Sequence, residues 1–220
     1  MGINLHSYNT ISKELDPAGV TLVAVSKIKP VSDIKSLYDA GQRDFGENYV
    51  QELVDKSGHL PSDIHWHFIG HLQSNKVKYI APFVHLVHGV DNFNLIKEVN
   101  KQALRCGRVI DILLQVHISE EETKFGLSEE QLAALITQVR EAGFSGIRIR
   151  GLMGMASFSE DTDKVRSEFA TLKKLFSSLP NEIPFDPLVL SMGMSGDYKI
   201  AIEEGSNMVR IGSLLFGARS

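Results

Sequence analysis

Thr21-Leu22-Val23-Ala24-Val25-Ser26-Lys27-Ile28-Lys29-Pro30 decides how the chain is read. A short apolar, β-branched run that breaks at Ser-Lys and is stopped by a proline has the signature of a buried strand whose last residue is a lysine. An ammonium at the mouth of an apolar core loses hydration, which lowers its pKa and makes the neutral amine available to attack carbonyls. Lys27 is therefore the candidate nucleophile, set against the commoner case of a lysine that snorkels from a strand end into water. Lys29, beyond the strand and next to Pro30, fits that commoner case.

Outward from this stretch the pattern repeats. Residues 1 to 16 carry helical periodicity through Leu5, Tyr8, Ile11 and Leu15, closed by Asp16-Pro17-Ala18-Gly19, and predict a leading helix. After Pro30, Ser32-Asp33 caps a helix with Ile34, Leu37, Tyr38 and Ala40 on one face, ended by Gly41. Further strands are predicted at 43–48, 65–70, 84–90, 110–118, 147–155, 186–191 and 207–211. Helices fall between them: Tyr49 to about Lys56, one from near Lys76, Asp91-Asn92 capping a helix to Cys106, then about 128–141, 163–177 and 197–204. The run Ile110 to Ile118 is nearly all apolar, as where both faces of a parallel sheet are buried. Eight strands alternating with helices, without a composition break or linker, predict one (β/α)8 TIM-barrel domain over residues 1–220. An open doubly wound sheet is the alternative, and the first strand lacks the Gly-x-Gly-x-x-Gly turn that would support it.

Composition narrows the function. The chain has 220 residues, 43% hydrophobic, with 23 Lys and Arg against 27 Asp and Glu for a formal charge of −4. There is no basic field for a phosphate backbone, so nucleic acid is not an expected partner. The single cysteine, Cys106, cannot form an internal bridge, and a reducing, cytoplasmic setting is expected. The first residues lack a basic region followed by an apolar run, and no stretch is apolar for long enough to span a bilayer, so neither secretion nor membrane insertion is expected. Met1-Gly2 fails as a myristoylation signal because His6 stands where Ser or Thr is required.

In a barrel, chemistry gathers at the C-terminal ends of strands. The residues expected there are Lys27, Glu47-Asn48, Gly70-His71, Ser119 to Gly126, Met155-Ala156-Ser157, Met192 to Ser195, and Gly212-Ser213. The last two turns bear most on function, because glycines let backbone N–H groups approach an anion, Ser195 and Ser213 add hydroxyl donors, and phosphate sites in barrels commonly follow strands seven and eight. Ordinary turn chemistry would also put Gly and Ser there. Together with a strand-end lysine, though, a phosphate cup is what pyridoxal phosphate requires. His65, His67 and His71 suggest a metal, but no third convergent ligand with a supporting carboxylate is identifiable, and His67 and His71 are expected as hydrogen-bonding rim groups with His65 a strand residue. Met153, Met155, Met192 and Met194 are expected as packing. Glu120-Glu121-Glu122 reads as a solvated loop, with Lys124 within reach of the rim.

Several blocks carry a resemblance. Val23-Ala24-Val25-Ser26-Lys27-Ile28-Lys29-Pro30, Phe45-Gly46-Glu47-Asn48-Tyr49, His67 to Lys76, Gly151 to Ala156, Ser191 to Ser195 and Val209 to Gly217 fall in order along nearly the whole chain. The sequence resembles the pyridoxal-phosphate homeostasis proteins. The resemblance implies a barrel like the N-terminal domain of alanine racemase, with pyridoxal 5'-phosphate held as a Schiff base on Lys27. It also implies Ser195, Gly212 and Ser213 as phosphate ligands, Arg210 as partner of the pyridine nitrogen, and Asn48 and Met192 as pocket walls. An arginine cannot give up its proton, so the ring nitrogen would stay unprotonated and the ring would be a poor electron sink. The chain stops at Ser220, without the second domain that brings a tyrosine base over the cofactor in racemases, which also leans toward a monomer.

Three functions compete. The first is a regulator that stores or hands over pyridoxal phosphate, with cofactor-dependent apoenzymes as transient partners and an indirect effect on amino- and keto-acid balance. The second is a weak amino-acid racemase, which would need acid-base groups on both faces of the ring where one clear lysine is supplied. The third is a cofactor-independent Schiff-base aldolase, which would be colourless.

Overall fold

The computed structural model describes residues 2–120, 125–180 and 184–217. Its strands are β1 (Thr21–Val25), β2 (Asp44–Glu47), β3 (His65–Phe68), β4 (Leu86–Val90), β5 (Ile110–Val116), β6 (Ile147–Gly154), β7 (Phe185–Ser191) and β8 (Met208–Ile211). Each pairs in parallel with the next, and β1 also pairs with β8 from Thr21 opposite Met208 to Ala24 opposite Ile211, so the sheet closes into an eight-stranded barrel. Closure leaves no unpaired edge.

The helices are α1 (Leu5–Leu15), α2 (Val31–Asp39), α3 (Val50–His59), α4 (Val77–Ile80), α5 (Phe93–Arg105), α6 (Glu129–Ala142), α7 (Thr162–Ser177), α8 (Tyr198–Glu203) and α9 (Ser213–Phe216). Their ends follow the sequence signals. Asn92 Oδ1 accepts from Leu95 N at the start of α5, Ser128 and Gln131 form a reciprocal capping box on α6, and Gly143 takes the left-handed conformation that ends it. Expected helix 76 onward is a single turn closed at Ala81, because Pro82 has no N–H with which to continue the i→i−4 ladder. The leading helix α1 buries Tyr8, Ile11 and Leu15, and its cap residue Asn4 donates its backbone N–H to Leu215 O at 2.7 Å, docking α1 beside α9.

Side-chain alternation along the strands builds two cores. Leu22, Ala24, Phe45, Phe68, Val87, Ile112, Leu114, Ile149, Leu152, Leu190 and Ile211 face the helices in one continuous layer with Ile34, Leu37, Leu53, Phe169 and Leu172. Each of the larger side chains is buried nearly completely and contributes about 2 kcal/mol, the Ala24 methyl less than about 1 kcal/mol. Inside the barrel lies a smaller apolar cluster of Val23, Leu86, Leu113, Met153 and Met208. The rest of the interior is polar: His67, His88, Ser191 and Arg210 are all buried. Register shifts between Ile112 and Leu113 and between Ile149 and Gly151 coincide with a Gly151 at φ +144, while a further shift between Val87 and Val90 lies in the β4–β5 pairing. A Cβ there would meet Val189 O at 1.9 Å, so glycine is required where β6 bends against β7.

Candidate functional site

Beyond the C-terminal strand ends a cavity of about 660 Å³ opens, lined among others by Val25, Lys27, Lys29, Asn48, Ile69, Met155, Met194, Ser195, Gly196, Asp197, Arg210, Gly212 and Ser213. Six of the sequence-derived candidates, Lys27, Asn48, Ser195, Arg210, Gly212 and Ser213, thus share one wall system. They come from β1, β2, β7 and β8.

Lys27 is not the last residue of β1. The strand ends at Val25, the last ladder bond runs from Ser26 N to Gly46 O at 3.0 Å, and Lys27 stands in the turn closed by Lys29 N donating to Ser26 O at 3.0 Å. Ile28 in that turn has φ +59, a conformation that costs a β-branched residue about 1–2 kcal/mol. What over-determines the strained turn lies beneath it. Lys56 Nζ donates to Ser26 O at 2.8 Å, to Glu47 Oε1 at 2.7 Å and to Glu52 Oε1 at 2.6 Å. Ser26 Oγ donates to the same Glu47 oxygen, and Ile28 N donates to Glu52 Oε1, each at 2.6 Å. Glu47 is fully buried on the helix side of β2, and burial raises its pKa against the opposing pull of Lys56. Lys29 Nζ reaches Phe216 O at 2.9 Å, pinning the far side of the turn to α9. Glu47, expected at the rim, is instead buried behind the turn and does not line the cavity; sequence reasoning missed Glu52 and Lys56, for which their i, i+4 spacing on α3 was the available signal.

Arg210 points into the barrel from β8. Its Nη1 donates to Ser191 O at 2.9 Å and Ser191 Oγ at 2.7 Å, and Nη2 donates to Gly154 O at 3.0 Å. Burial pulls its pKa down to about 10, partly offset by the charge of Asp197, so it stays a cation near neutral pH. Ser195 Oγ accepts from Gly212 N at 3.3 Å and ties the two glycine-bearing turns together. Asp197 Oδ1 accepts from Met194 N at 2.5 Å within the first of them. Gly193 there has φ +97, and a Cβ on it would come within 2.7 Å of the Ala201 methyl. Asn48 Oδ1 is buried without a hydrogen-bond partner among the described residues.

Three expectations are corrected. Met192 is not a pocket wall: it is fully buried in the layer between sheet and helices and does not line the cavity, because strand alternation turns the residue after Ser191 outward. His67 is not a rim group: it is the third residue of β3, points inward and is fully buried, with Nδ1 2.9 Å from His88 Nε2 and Nε2 2.9 Å from Asp44 Oδ1. His71 lies in the turn after β3 outside the cavity, its ring stacked on Phe125 at 4.8 Å. His88, which sequence reasoning overlooked, continues the inward column: its Nδ1 is 3.3 Å from Ser191 Oγ. Burial, then the charges of His67, Arg210 and His85, holds its pKa well below the ordinary value, so it is neutral. Glu120 pairs with Lys164 at 2.6 Å on the surface, while Glu121, Glu122 and Lys124 lie outside the described residues.

Among the described residues no helix is long and apolar enough to cross a membrane. The chain matches the family model of the alanine racemase N-terminal domain over residues 5–220. It is 41% identical to the pyridoxal phosphate homeostasis protein of Aquifex aeolicus over 199 residues, covering 90% of this chain and 86% of that one. With the protein of the same name from Escherichia coli K12 it is 40% identical over 210 residues, covering 92% and 87%. Among solved structures, PipY of Synechococcus elongatus, determined with pyridoxal phosphate bound, superposes with a TM-score of 0.87 at 33% identity, covering 96% of this chain and 99% of that one. Alanine racemase of Bartonella henselae shares the fold at a TM-score of 0.72 and 18% identity, covering 94% of this chain and 56% of the racemase. The chain belongs to the alanine racemase N-terminal domain family, and within it to the pyridoxal phosphate homeostasis proteins.

Proposed function

We propose that this protein binds pyridoxal 5'-phosphate in the rim cavity through a Schiff base on Lys27 and serves as a monomeric cytoplasmic store and donor of that cofactor. The observation that carries the reading is the convergence on one cavity of an amine, two serine- and glycine-bearing turns and a buried guanidinium. The donor set fits the ligand. Ser195, Gly212 and Ser213 offer hydroxyl and backbone donors for a phosphate, and Asn48 Oδ1 is a buried acceptor that calls for a donor from whatever fills the cavity. The bound cofactor would supply an aldehyde carbon open to attack by an amine.

The chain's own residues set the rest. The clamp of Lys56, Glu47 and Glu52 under the 26–29 turn holds Lys27 at the mouth of the barrel. Arg210 can only donate hydrogen bonds, and with both its amino groups occupied by Ser191 and Gly154 its plane is fixed. Were the ring nitrogen of the bound cofactor to lie against this guanidinium, which offers donors only, it would stay unprotonated, disfavouring carbanion chemistry and favouring holding over turnover. Transient transfer to apoenzymes follows from a cavity that opens to solvent at the rim.

The test is a visible spectrum of protein loaded with pyridoxal phosphate. A yellow band bleached by borohydride and missing in Lys27→Ala is expected; a colour retained by Lys27→Ala would remove the lysine from its role. The racemase reading is tested by incubation with L- and D-amino acids, where turnover on the order of 1 per second or faster would overturn the storage role.

A further inference from the structure

At the other end of the barrel, the first residues of β2 and β3 and the residue before β4 bring Asp44, His65, His67 and His85 together. His67 Nε2 and His65 Nδ1 lie 2.9 and 3.2 Å from the same oxygen, Asp44 Oδ1. The His85 ring stacks on His65 at 4.5 Å and lies 5.4 Å from that of His67. One possible ligand atom from each of Asp44, His67 and His85 falls within 4.8 Å of the others.

We propose that this cluster binds a first-row divalent transition ion of the zinc type, with His67 Nε2, a His85 ring nitrogen and an Asp44 carboxylate oxygen as ligands and His65 alongside. Two imidazoles and one carboxylate suit zinc, copper or nickel, and are a poor set for magnesium or calcium, which take mainly oxygen ligands. Bonds of about 2.0–2.2 Å put tetrahedral ligand atoms roughly 3.3 Å apart. The His67 and Asp44 pair, at 2.9 Å, stands close to that spacing already. His85 is exposed, so a change of side-chain rotamer can bring it onto the ion.

The buried ligand also has the outer partner that metal-bound histidines need. His67 Nδ1 faces His88 Nε2 at 2.9 Å, which fixes the ring plane. Without an ion, the Asp44 carboxylate can only accept, so His67 carries its proton on Nε2 and its Nδ1 accepts from His88. An ion on Nε2 needs that lone pair, so the proton must then sit on Nδ1 and be donated to His88. The His67 tautomer therefore reports occupancy, and does so whether or not the rim cavity is filled.

The test uses the full chain stripped with a chelator and titrated with zinc chloride by calorimetry, with the histidine tautomers read by NMR on nitrogen-15-labelled protein. Expected are one saturable site per chain, a change of His67 from Nε2–H to Nδ1–H, and binding weakened tenfold or more in His85→Ala and in Asp44→Asn. His71→Ala, at an exposed histidine outside the cluster, leaves the titration unchanged. Absence of saturable binding, undiminished binding in both His85→Ala and Asp44→Asn, or binding with no change of tautomer at His67 would each overturn the proposal. His85 is exposed, so its variant folds and the comparison stands.

Discussion

The two ends of the barrel use the same kinds of side chain to opposite effect. At the rim, three polar features are anchored from behind: Lys56, Glu47 and Glu52 hold the Lys27 turn, Ser191 and Gly154 hold Arg210, and Ser195 ties one glycine turn to the other. Their working faces are left toward a cavity. At the base, the polar groups satisfy one another, with two imidazoles on a single Asp44 oxygen and a third ring packed over them. A site for a large organic ligand needs its supports outside the cavity, whereas a small cation is held by converging side chains with a single outer partner such as His88 behind them. The column Arg210, Ser191, His88, His67, Asp44 joins the two ends, running from a group that only donates to one that only accepts.

The contrast is broken most severely at the rim support. Lys56→Met leaves Glu47 buried without its cation and should cost about 4 kcal/mol, read from urea unfolding. Lys27 should lose its fixed position with it, so residual folded protein binds the cofactor more weakly. Gly193→Ala combines an unfavourable φ with a methyl forced against Ala201, and about 3 kcal/mol of destabilisation is expected together with weakened phosphate binding. An unchanged affinity for inorganic phosphate in this variant would detach the turn from the ligand.

At the base, Asp44→Asn keeps an acceptor and removes only the charge, so about 1 kcal/mol is expected, with pyridoxal phosphate affinity within twofold of wild type. A larger loss of cofactor affinity would show that the two ends are coupled through the histidine column. The smallest effect is a pH slope. Burial raises the Glu47 pKa in the folded state, so above the ordinary value of 4.5 the folded chain holds a proton that the unfolded chain has released. Stability from this group is present below 4.5 and falls as pH rises through the raised value. Wild type should therefore lose melting temperature relative to Glu47→Gln as pH rises above 4.5, and a slope of opposite sign would reverse the assignment.

What the sequence determined is the alternation of eight apolar strands with capped helices, because hydrophobic period and turn chemistry are local: Ser128 to Gly143 announces α6, and Thr21 to Val25 announces β1. It also determined which turns meet at one end, since a closed parallel barrel sends every strand exit to the same side. Tertiary structure alone decided the rest. Whether Met192 faces the cavity or the helices depends on a strand register that one residue reverses, and register shifts around β6 are invisible in composition. Asp44, His67 and His85 lie on three different strand beginnings, and their convergence follows from barrel closure, not from spacing along the chain. The same closure places Lys56 of α3 under a turn thirty residues away from it in sequence, where its charge becomes a structural support.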